Sequence, residues 1–519
     1  MARLLSSVFL LTSFLSFITA SPLWDYVHTD DGAFAWVDTG ITISGGTNST
    51  GGWTGYLLNV TSQAWLTPAD FQGPFGHIWW HQVVVILPDD GVLYPDAAAL
   101  WITGNDNDGN PGPPDNSDED ILVCASLAVT VRTACSVLYQ IPNAPLVFTA
   151  DPERKERSED AAVAFTWAQY MLYNQNKPEW VLYFPMCKAA IKTMDATTEF
   201  LQNKTGNVIT RWVTAGASKR GATTWLTGAV DKRIIGIVPI VFDVLNFKAG
   251  VQHMWQTLGN WTFAFTDYRD ANITRYLNDG TNYIDILATQ IDPLSYAANL
   301  TMSKLVVDAT GDEFFQPQDD DFWWGKLPGE TLRMMVDNAE HSMATGALYL
   351  ITGAEVWYKA LLDGTPRPNF SWTKNNVTGD ITVSVSGPMQ PVRVVNRMAT
   401  TLDGYRRDFR LVAGNTPANP CKYIAIPLFG SACLRPIIWI GNDIGMTNYN
   451  PNTQTSTWIA TQDPPAVGWR GFLVELYFNS TIPGLYFQLT TQVSILPAPG
   501  TPLYPFPLCV GAQCVGDLV

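Results

Sequence analysis

Between Ala97 and Leu362 short apolar runs alternate with stretches of helical period, and this alternation constrains the fold more than any other feature. The runs are "AAALWITG" (97–104), "VITRWVTA" (208–215), "IIGIVPIVF" (234–242), "KLVVDATGDEFF" (304–315) and "TLRMMVDNAEHS" (331–342). Between them lie "SEDAAVAFTWAQYMLY" (158–173), "MCKAAIKTMDATTEFL" (186–201), "SKRGATTWLTGAVD" (218–231) and, last, "ATGALYLITGAEVWYKALL" (344–362). Ser158 reads as the N-cap of its helix, with Glu159 and Asp160 in the first turn where the helix dipole favours acids. Strands apolar along their whole length are buried on both faces, so the pattern predicts a parallel sheet wound with helices. Earlier strands, "GYLLNVTSQAWL" and "IWWHQVVVILP", join it, and "DILVCASLAVTVRTACSVLYQIP" reads as a helix followed by a strand. From about 243 to 302 the chain is helical and aromatic, an insertion covering the sheet's carboxyl edge.

After "DGTPRPNF" the period changes to two, as in "DITVSVSG", "FLVELYFNS" and "LYFQLTTQVSILP". Alternation of this kind predicts a β-sandwich of Ig-like type. The expected organisation is a leader at 1–20, an α/β domain at 21–365, a sandwich at 366–496 and a Pro-rich tail at 497–519.

Strand, Gly216-Ala217-Ser218, helix is the order of a nucleophile elbow in the α/β-hydrolase fold. There the serine sits in a tight turn, and the next N–H points to an oxyanion. A helix-capping serine fits the same three residues. The usual elbow has glycine two residues after the serine; this chain has Arg220 there and Gly221 one place later.

Chain order narrows the partners, because this fold runs serine, acid, histidine. Of five histidines, His28, His77 and His81 precede Ser218, and His253 lies in the insertion before any strand-end acid. His341, just past a strand, remains as the base. Asp312 ends the preceding strand and is the expected acid, with Glu313, Asp319 and Asp320 as nearby alternatives. A helix and a strand are expected between Asp312 and His341, the run Asp319–Asp321 being a helix start. The oxyanion donors are expected at the backbone of Lys219 and, by position, of Asn105.

Other features read more plainly. The Lys219 and Arg220 side chains form a solvated face or a structural ion pair, with recognition of an acidic substrate group as the alternative. "NDNDGN" (105–110) lacks an acid at the first position of a calcium loop and reads as a turn. His77 and His81 are packed structural histidines. No paired C-x-x-C zinc pattern occurs, and neither a metal nor a cofactor is expected.

The segments "SEDAAVAFTWAQYML", "FPMCKAAIKTMDA", "GASKRGATTWLTGAVDKRIIGIVPIVFDVLN", "ATGDEFFQP", "NAEHS" and "GWRGFLVELYF" resemble the PhoPQ-activated pathogenicity-related protein family. Its eukaryotic, secreted branch includes autocrine proliferation repressors of social amoebae. The resemblance spans nearly the whole chain after residue 20, and the Arg of S-K-R-G is part of the family's motif. It implies an α/β-hydrolase domain followed by a β-sandwich, without implying a substrate.

The first twenty residues, "MARLLSSVFLLTSFLSFITA", have the form of a secretory signal cleaved before Ser21. No later run is long enough for a membrane span, so no membrane insertion is expected. Nine sequons follow, at Asn48, Asn59, Asn203, Asn260, Asn272, Asn299, Asn369, Asn376 and Asn479, and are read as glycosylation sites. Seven cysteines suit an oxidising compartment, with expected pairs Cys124–Cys135, Cys421–Cys433 and Cys509–Cys514 and Cys187 left free. The formal charge is −16, or −17 (30 minus 47) once Arg3 leaves with the leader. An acidic chain without a Lys/Arg stripe excludes nucleic acid as a partner.

Two function classes remain. One is a secreted serine hydrolase of esterase or peptidase type, acting on a small molecule or peptide. The other is an extracellular signal that represses proliferation through a cell-surface receptor or another secreted protein, without catalysis.

Overall fold

The structure is a computed structural model that describes residues 21–47, 51–107, 111–415, 420–426, 432–498, 503–508 and 516–519. The leader, Asn48, Cys509 and Cys514 therefore lie outside the described residues.

Among those residues the central sheet has nine strands. They are β1 (Ala35–Thr47), β2 (Gly51–Ala64), β3 (Ile78–Pro88), β4 (Ala97–Ile102), β5 (Ala134–Leu138), β6 (Arg211–Ala217), β7 (Ile234–Ile240), β8 (Ser303–Ala309) and β9 (Thr331–Val336). Their spatial order is β1-β2-β3-β5-β4-β6-β7-β8-β9. β1, β2, β3 and β5 pair antiparallel in sequence, and β5, β4, β6, β7, β8 and β9 run parallel. From β4 the chain crosses outward to β5 and later returns to β6 on β4's other side. Such a reversal leaves a crevice at the carboxyl ends of the strands, where open α/β sheets hold ligands. This winding is that of the α/β-hydrolase fold.

Helices cover both faces. α1 (Glu119–Val131) and α7 (Ala347–Asp363) contribute to one core, while α2 (Glu159–Tyr173), α3 (Tyr183–Thr205) and α4 (Lys219–Val230) contribute to the other. β8 is buried at all seven positions, as strands covered on both faces must be. Within the insertion, α5 (Phe247–Leu258) and α6 (Tyr283–Ile291) add Val251, Met254, Leu287 and Ile291 to the second core.

The C-terminal region is antiparallel. One sheet pairs Phe370–Lys374, Ile381–Ser386, Thr455–Ala460 and Asn448–Asn450, and another pairs Ile440–Asp443, Arg393–Thr400, Arg470–Asn479 and Tyr486–Thr490. Ile381, Val383 and Val385 share a core with Phe472, Val474, Leu476 and Phe478, so every second residue points inward. The Met335 N–H on β9 donates to Thr490 Oγ1 at 3.0 Å, tying the two regions together.

Residues 401–411 reach back toward the central sheet instead of continuing the alternation. Leu411 N–H donates to Gly311 O at 2.9 Å, and Arg410 donates to Thr262 Oγ1 at 3.0 Å.

Disulfides join Cys124 to Cys135 and Cys421 to Cys433, with Cα separations of 5.6 and 5.3 Å. Cys187 is free and buried. The eight sequon asparagines among the described residues are all exposed or half-buried. No helix among those residues is long and apolar enough to cross a membrane.

Candidate active site

Ser218 stands between β6 and α4 at φ 58°, ψ −125°. A non-glycine residue rarely holds such a backbone, and it persists only where surroundings enforce it. Its N–H donates to Ile240 O on β7 at 2.9 Å, and its hydroxyl makes no helix-capping bond. The capping alternative therefore lacks the bond that would define it.

Two glycines make the turn possible. A Cβ on Gly216 would lie 3.0 Å from Ile102 O, and one on Gly221 would lie 2.8 Å from Ile240 O. Helix and strand crowd at Gly221, one place later than in the usual elbow, which frees the preceding position for Arg220.

Arg220 folds away from the turn. Its Nη1 meets Glu159 Oε2 at 2.7 Å and its Nη2 meets Glu159 Oε1. Lys219 Nζ reaches the same Oε2 at 2.8 Å and Asp160 Oδ1 at 3.5 Å. Burial would raise the Glu159 pKa, but the two cations outweigh it and hold the carboxyl at about 2. The structural ion pair is thus the arrangement found, and both cations are committed to acids. Glu159 itself begins α2 at φ 50°, and Ser158 makes no side-chain cap bond. That helix start is held by the ion pair rather than by the expected serine cap.

His341 follows β9. Its Nε2 lies 2.8 Å from Ser218 Oγ, and its Nδ1 lies 2.8 and 3.0 Å from the two oxygens of Asp312. With Nδ1–H donating to the carboxylate, Nε2 is free to accept the serine proton; this tautomer is assigned from the network. Asp312 is 2% exposed, and its Oδ1 also accepts the N–H groups of Phe314 and Phe315 at 2.7 and 3.1 Å. Burial alone would lower the His341 pKa; the Asp312 carboxylate, joined by Glu313, more than offsets it and raises the value. Phe314 and Phe315 flank the imidazole with ring centroids 4.5 and 5.9 Å away.

β4 pairs with β6 in parallel, Ile102 opposite Gly216, so the loop after β4 runs beside the elbow. Gly104 lies under Arg220, where a Cβ would come 2.5 Å from Nη2. Asn105 takes φ 72°, a left-handed backbone that asparagine tolerates. Lys219 is the first residue of α4, so its N–H is one of those a helix leaves without an internal acceptor.

One expectation is met only in part. Between Asp312 and His341 the helix is a short 3₁₀-helix, Asp319–Phe322, with no α-helix, and β9 follows it. The buried acids at its start are held by partners from other parts of the fold, and it does not extend into an α-helix. Asp319 Oδ1 meets His253 Nδ1 at 2.6 Å, and its Oδ2 accepts the Gln316 N–H at 2.7 Å. Arg407 Nη2 donates to His253 Nε2 at 2.8 Å, bringing the C-terminal segment into the same cluster. Glu313 also has a role that chain order missed, since its Oε2 accepts the His341 backbone N–H at 2.8 Å.

His81 is buried between Ser62 Oγ and Tyr139 O at 3.0 and 3.1 Å, with burial lowering its pKa to about 4. It is a packed structural histidine. Among the described residues no group of three His, Cys, Asp or Glu side chains is arranged to hold a metal ion.

The fold and this arrangement define an α/β-hydrolase-fold protein with serine, histidine and aspartate side chains in hydrogen-bonded sequence at the sheet's carboxyl edge. The chain belongs to the PhoPQ-activated pathogenicity-related protein family, whose pattern matches residues 23–410. It is 35% identical to autocrine proliferation repressor protein A of Dictyostelium discoideum over 533 aligned residues, covering 100% of this chain and 97% of that one. Among solved structures it is similar to acetyl xylan esterase 1 from Thermoanaerobacterium, with TM-score 0.41 and 11% identity, covering 66% of this chain and 92% of that one. An acetyl xylan esterase from Paenibacillus gives TM-score 0.40 and 13% identity over 63% of this chain and 92% of that one.

Proposed function

We propose that this protein is a secreted serine hydrolase that cleaves an ester or amide by acyl transfer. The observation that carries the reading is the 2.8 Å contact between His341 Nε2 and Ser218 Oγ, with Asp312 on the other ring nitrogen. Ser218 Oγ attacks the substrate carbonyl carbon as His341 Nε2 takes its proton. The oxyanion forms against the N–H of Lys219 and the 103–105 loop, while Asp312 steadies the imidazolium. His341 then protonates the leaving group, and water, deprotonated by the same nitrogen, releases the acid. Secretion is supported by the form of the first twenty residues and by the two disulfides.

The name of the Dictyostelium relative supports a second reading, a repressor of proliferation, for which we propose action through a receptor without catalysis. The hydrolase reading ranks first because a scaffold serving only as a shape has no use for a strained serine aligned on a histidine.

A fluorophosphonate probe tests it. The wild-type glycoprotein is expected to label at one site and Ser218→Ala not at all; a folded wild type that stays unlabelled overturns the reading. If unlabelled Ser218→Ala still slows cell growth at wild-type dose, that activity is independent of catalysis.

A further inference from the structure

Beside the imidazole lies a cavity walled by aromatic side chains from separate parts of the chain. Trp167 comes from α2, Tyr183 from α3, Phe242 from just after β7, Met254 from α5, and Phe314 and Phe315 from the loop that carries Asp312. We infer that this cavity receives the acyl limb of the substrate and restricts it to a short, uncharged chain. The inference rests on the reading of Ser218 as nucleophile.

Position comes first. Phe314 and Phe315 form part of the cavity wall and also flank the His341 ring. Phe242 adjoins the elbow, since a Cβ on Gly221 would touch its Cβ at 2.9 Å. The cavity therefore shares its Phe314–Phe315 wall with the imidazole that contacts Ser218 Oγ, and this places it beside the nucleophile.

Size comes next. The cavity volume is about 40 Å³, on a measure in which one water needs roughly 10–15 Å³. It holds roughly three water-sized groups, enough for an acetyl to butyryl chain and too little for a long alkyl chain.

The walls are in no position to yield. Trp167 packs edge-on against Tyr183 and Phe247 at 5.6 and 5.5 Å, and Phe242 packs against Phe315 at 6.0 Å. Trp167, Tyr183, Phe242 and Met254 are all buried, so displacing one disturbs the core.

Chemistry excludes charge. The wall acid Asp319 is occupied by His253 and the Gln316 N–H. The wall hydroxyl of Tyr268 donates to Asp160 at 2.9 Å. Nearby Lys219 is committed to Glu159 and Asp160, so an anionic acyl group would find carboxylates without a free cation.

Assignment to the acyl side follows from the reaction. Attack makes the bond from Ser218 Oγ to the carbonyl carbon and breaks the carbon–oxygen bond to the alcohol, which leaves with the proton from His341. The acyl limb stays on the enzyme until water attacks, so the apolar recess suits it, whereas the alcohol must depart.

The test is a chain-length series of p-nitrophenyl esters, acetate, butyrate, octanoate and laurate, on protein whose reactive Ser218 is counted by titrating a separate aliquot with a small organophosphonate. Acetate to butyrate are expected to have the highest kcat/KM, with octanoate at least about tenfold lower, since a single methylene in such a pocket changes the rate by roughly that factor or more. Met254→Ala removes one wall and is expected to move the optimum to longer chains; Val251→Ala makes the same change more gently if the first variant folds poorly. A titrated wild type that cleaves laurate as well as acetate, or cleaves none of the series, overturns the inference while leaving Ser218 as nucleophile. The same holds if a folded wall variant keeps the wild-type profile. Failure to titrate Ser218 brings down the serine reading and this inference with it.

Discussion

Glu313 Oε2 accepts the backbone N–H of His341 at 2.8 Å, while its neighbour Asp312 holds the ring of the same histidine. Two consecutive acids thus fix one residue, one by its main chain and one by its imidazole. Glu313 is 5% exposed, and burial, helped by the Asp312 charge, raises its pKa to about 7. Gln at this position keeps an acceptor for the amide but removes the charge that helps raise the His341 pKa. Glu313→Gln is therefore expected to lower the pH midpoint of Ser218 labelling. Glu313→Ala is expected to slow labelling at every pH by loosening the loop. An unmoved midpoint in the Gln variant would restrict Glu313 to a structural role.

The second prediction concerns that midpoint in the wild type. Burial opposes the imidazolium, yet the neighbouring carboxylates raise the His341 pKa above its ordinary value near 6.5. A general base must be neutral, so the rate of Ser218 labelling should rise with pH through a midpoint above about 6.5. The stability contribution has the opposite course. It is fully present below the unfolded pKa and is lost as pH rises through the folded one. A labelling midpoint clearly below 6 is incompatible with this environment.

Asp312 and Asp319 part company in the third prediction. Asp312→Asn leaves the loop amides an acceptor but no longer stabilises the imidazolium or fixes its tautomer. Activity on any ester the protein turns over is expected to fall by about 10⁴ with little change in stability. Asp319→Asn disturbs a buried pairing with His253 and the Gln316 amide. Its cost should appear as about 1–3 kcal/mol of stability, with labelling per folded molecule largely kept. Denaturation curves and labelling rates of the two variants, measured side by side, check both halves.

Much of this site was legible because order and period were enough. Serine after a buried strand, an acid ending a later strand and one histidine past the next left few choices among five histidines. The period change after Phe370 marked the antiparallel region for the same reason, since alternation shows which face is buried. Unreadable features are those in which a polar residue is satisfied by a partner far along the chain. Glu159 looked like a dipole-favoured acid, yet it pairs with cations 60 and 61 residues away. Arg407 reaches His253 across 154 residues, and no local pattern signals such a contact. The Asp319–Asp321 run has the composition of a helix start and does open a 3₁₀-helix, but His253, the partner of the buried Asp319, lies far along the chain.

Gly104 supplies the fourth prediction, because its lack of a side chain makes room for Arg220. A Cβ there would lie 2.5 Å from Nη2 and 2.9 Å from Cζ of Arg220. Gly104→Ala should push the guanidinium off Glu159 and cost about 1–3 kcal/mol, as overpacking does. Because Arg220 follows Lys219 on the first turn of α4, labelling of Ser218 should also slow. Arg220→Lys tests the cause, since an ammonium lacks the fork that holds both Glu159 oxygens. If Gly104→Ala labels at the wild-type rate with unchanged stability, the guanidinium has an alternative seat.

The last prediction concerns a buried charge cluster beneath the site. Arg333 is fully buried, with Asp320, Asp308 and Asp243 at 2.9, 3.4 and 3.8 Å. One guanidinium cannot offset three ionised carboxylates in a region without water access. Burial first, and mutual repulsion among the acids, raises the pKa values of Asp243 and Asp308; burial likewise raises that of Asp320. Protons therefore remain on this cluster in the folded chain at pH values where the unfolded chain has lost them. The sign follows from linkage. Acids with raised pKa contribute stability that is complete below the unfolded value of about 4 and is lost as pH rises through the folded values. Carboxylates with lowered pKa, such as Glu159, act in the other direction, so the informative quantity is a difference between proteins. Asp308→Asn removes one titrating group while keeping a polar side chain of similar size. The stability of wild type minus that of Asp308→Asn is expected to decrease as pH is raised from about 4 to 7, measured by urea denaturation at each pH. Removing the cation instead, as in Arg333→Ala, should destabilise the fold by about 3–5 kcal/mol near neutral pH, by leaving buried carboxylates without a counter-charge, and by less at pH 4, where protons take its place. A difference that grows with pH would mean that Asp308 is ionised in the native protein and that Arg333 holds it so.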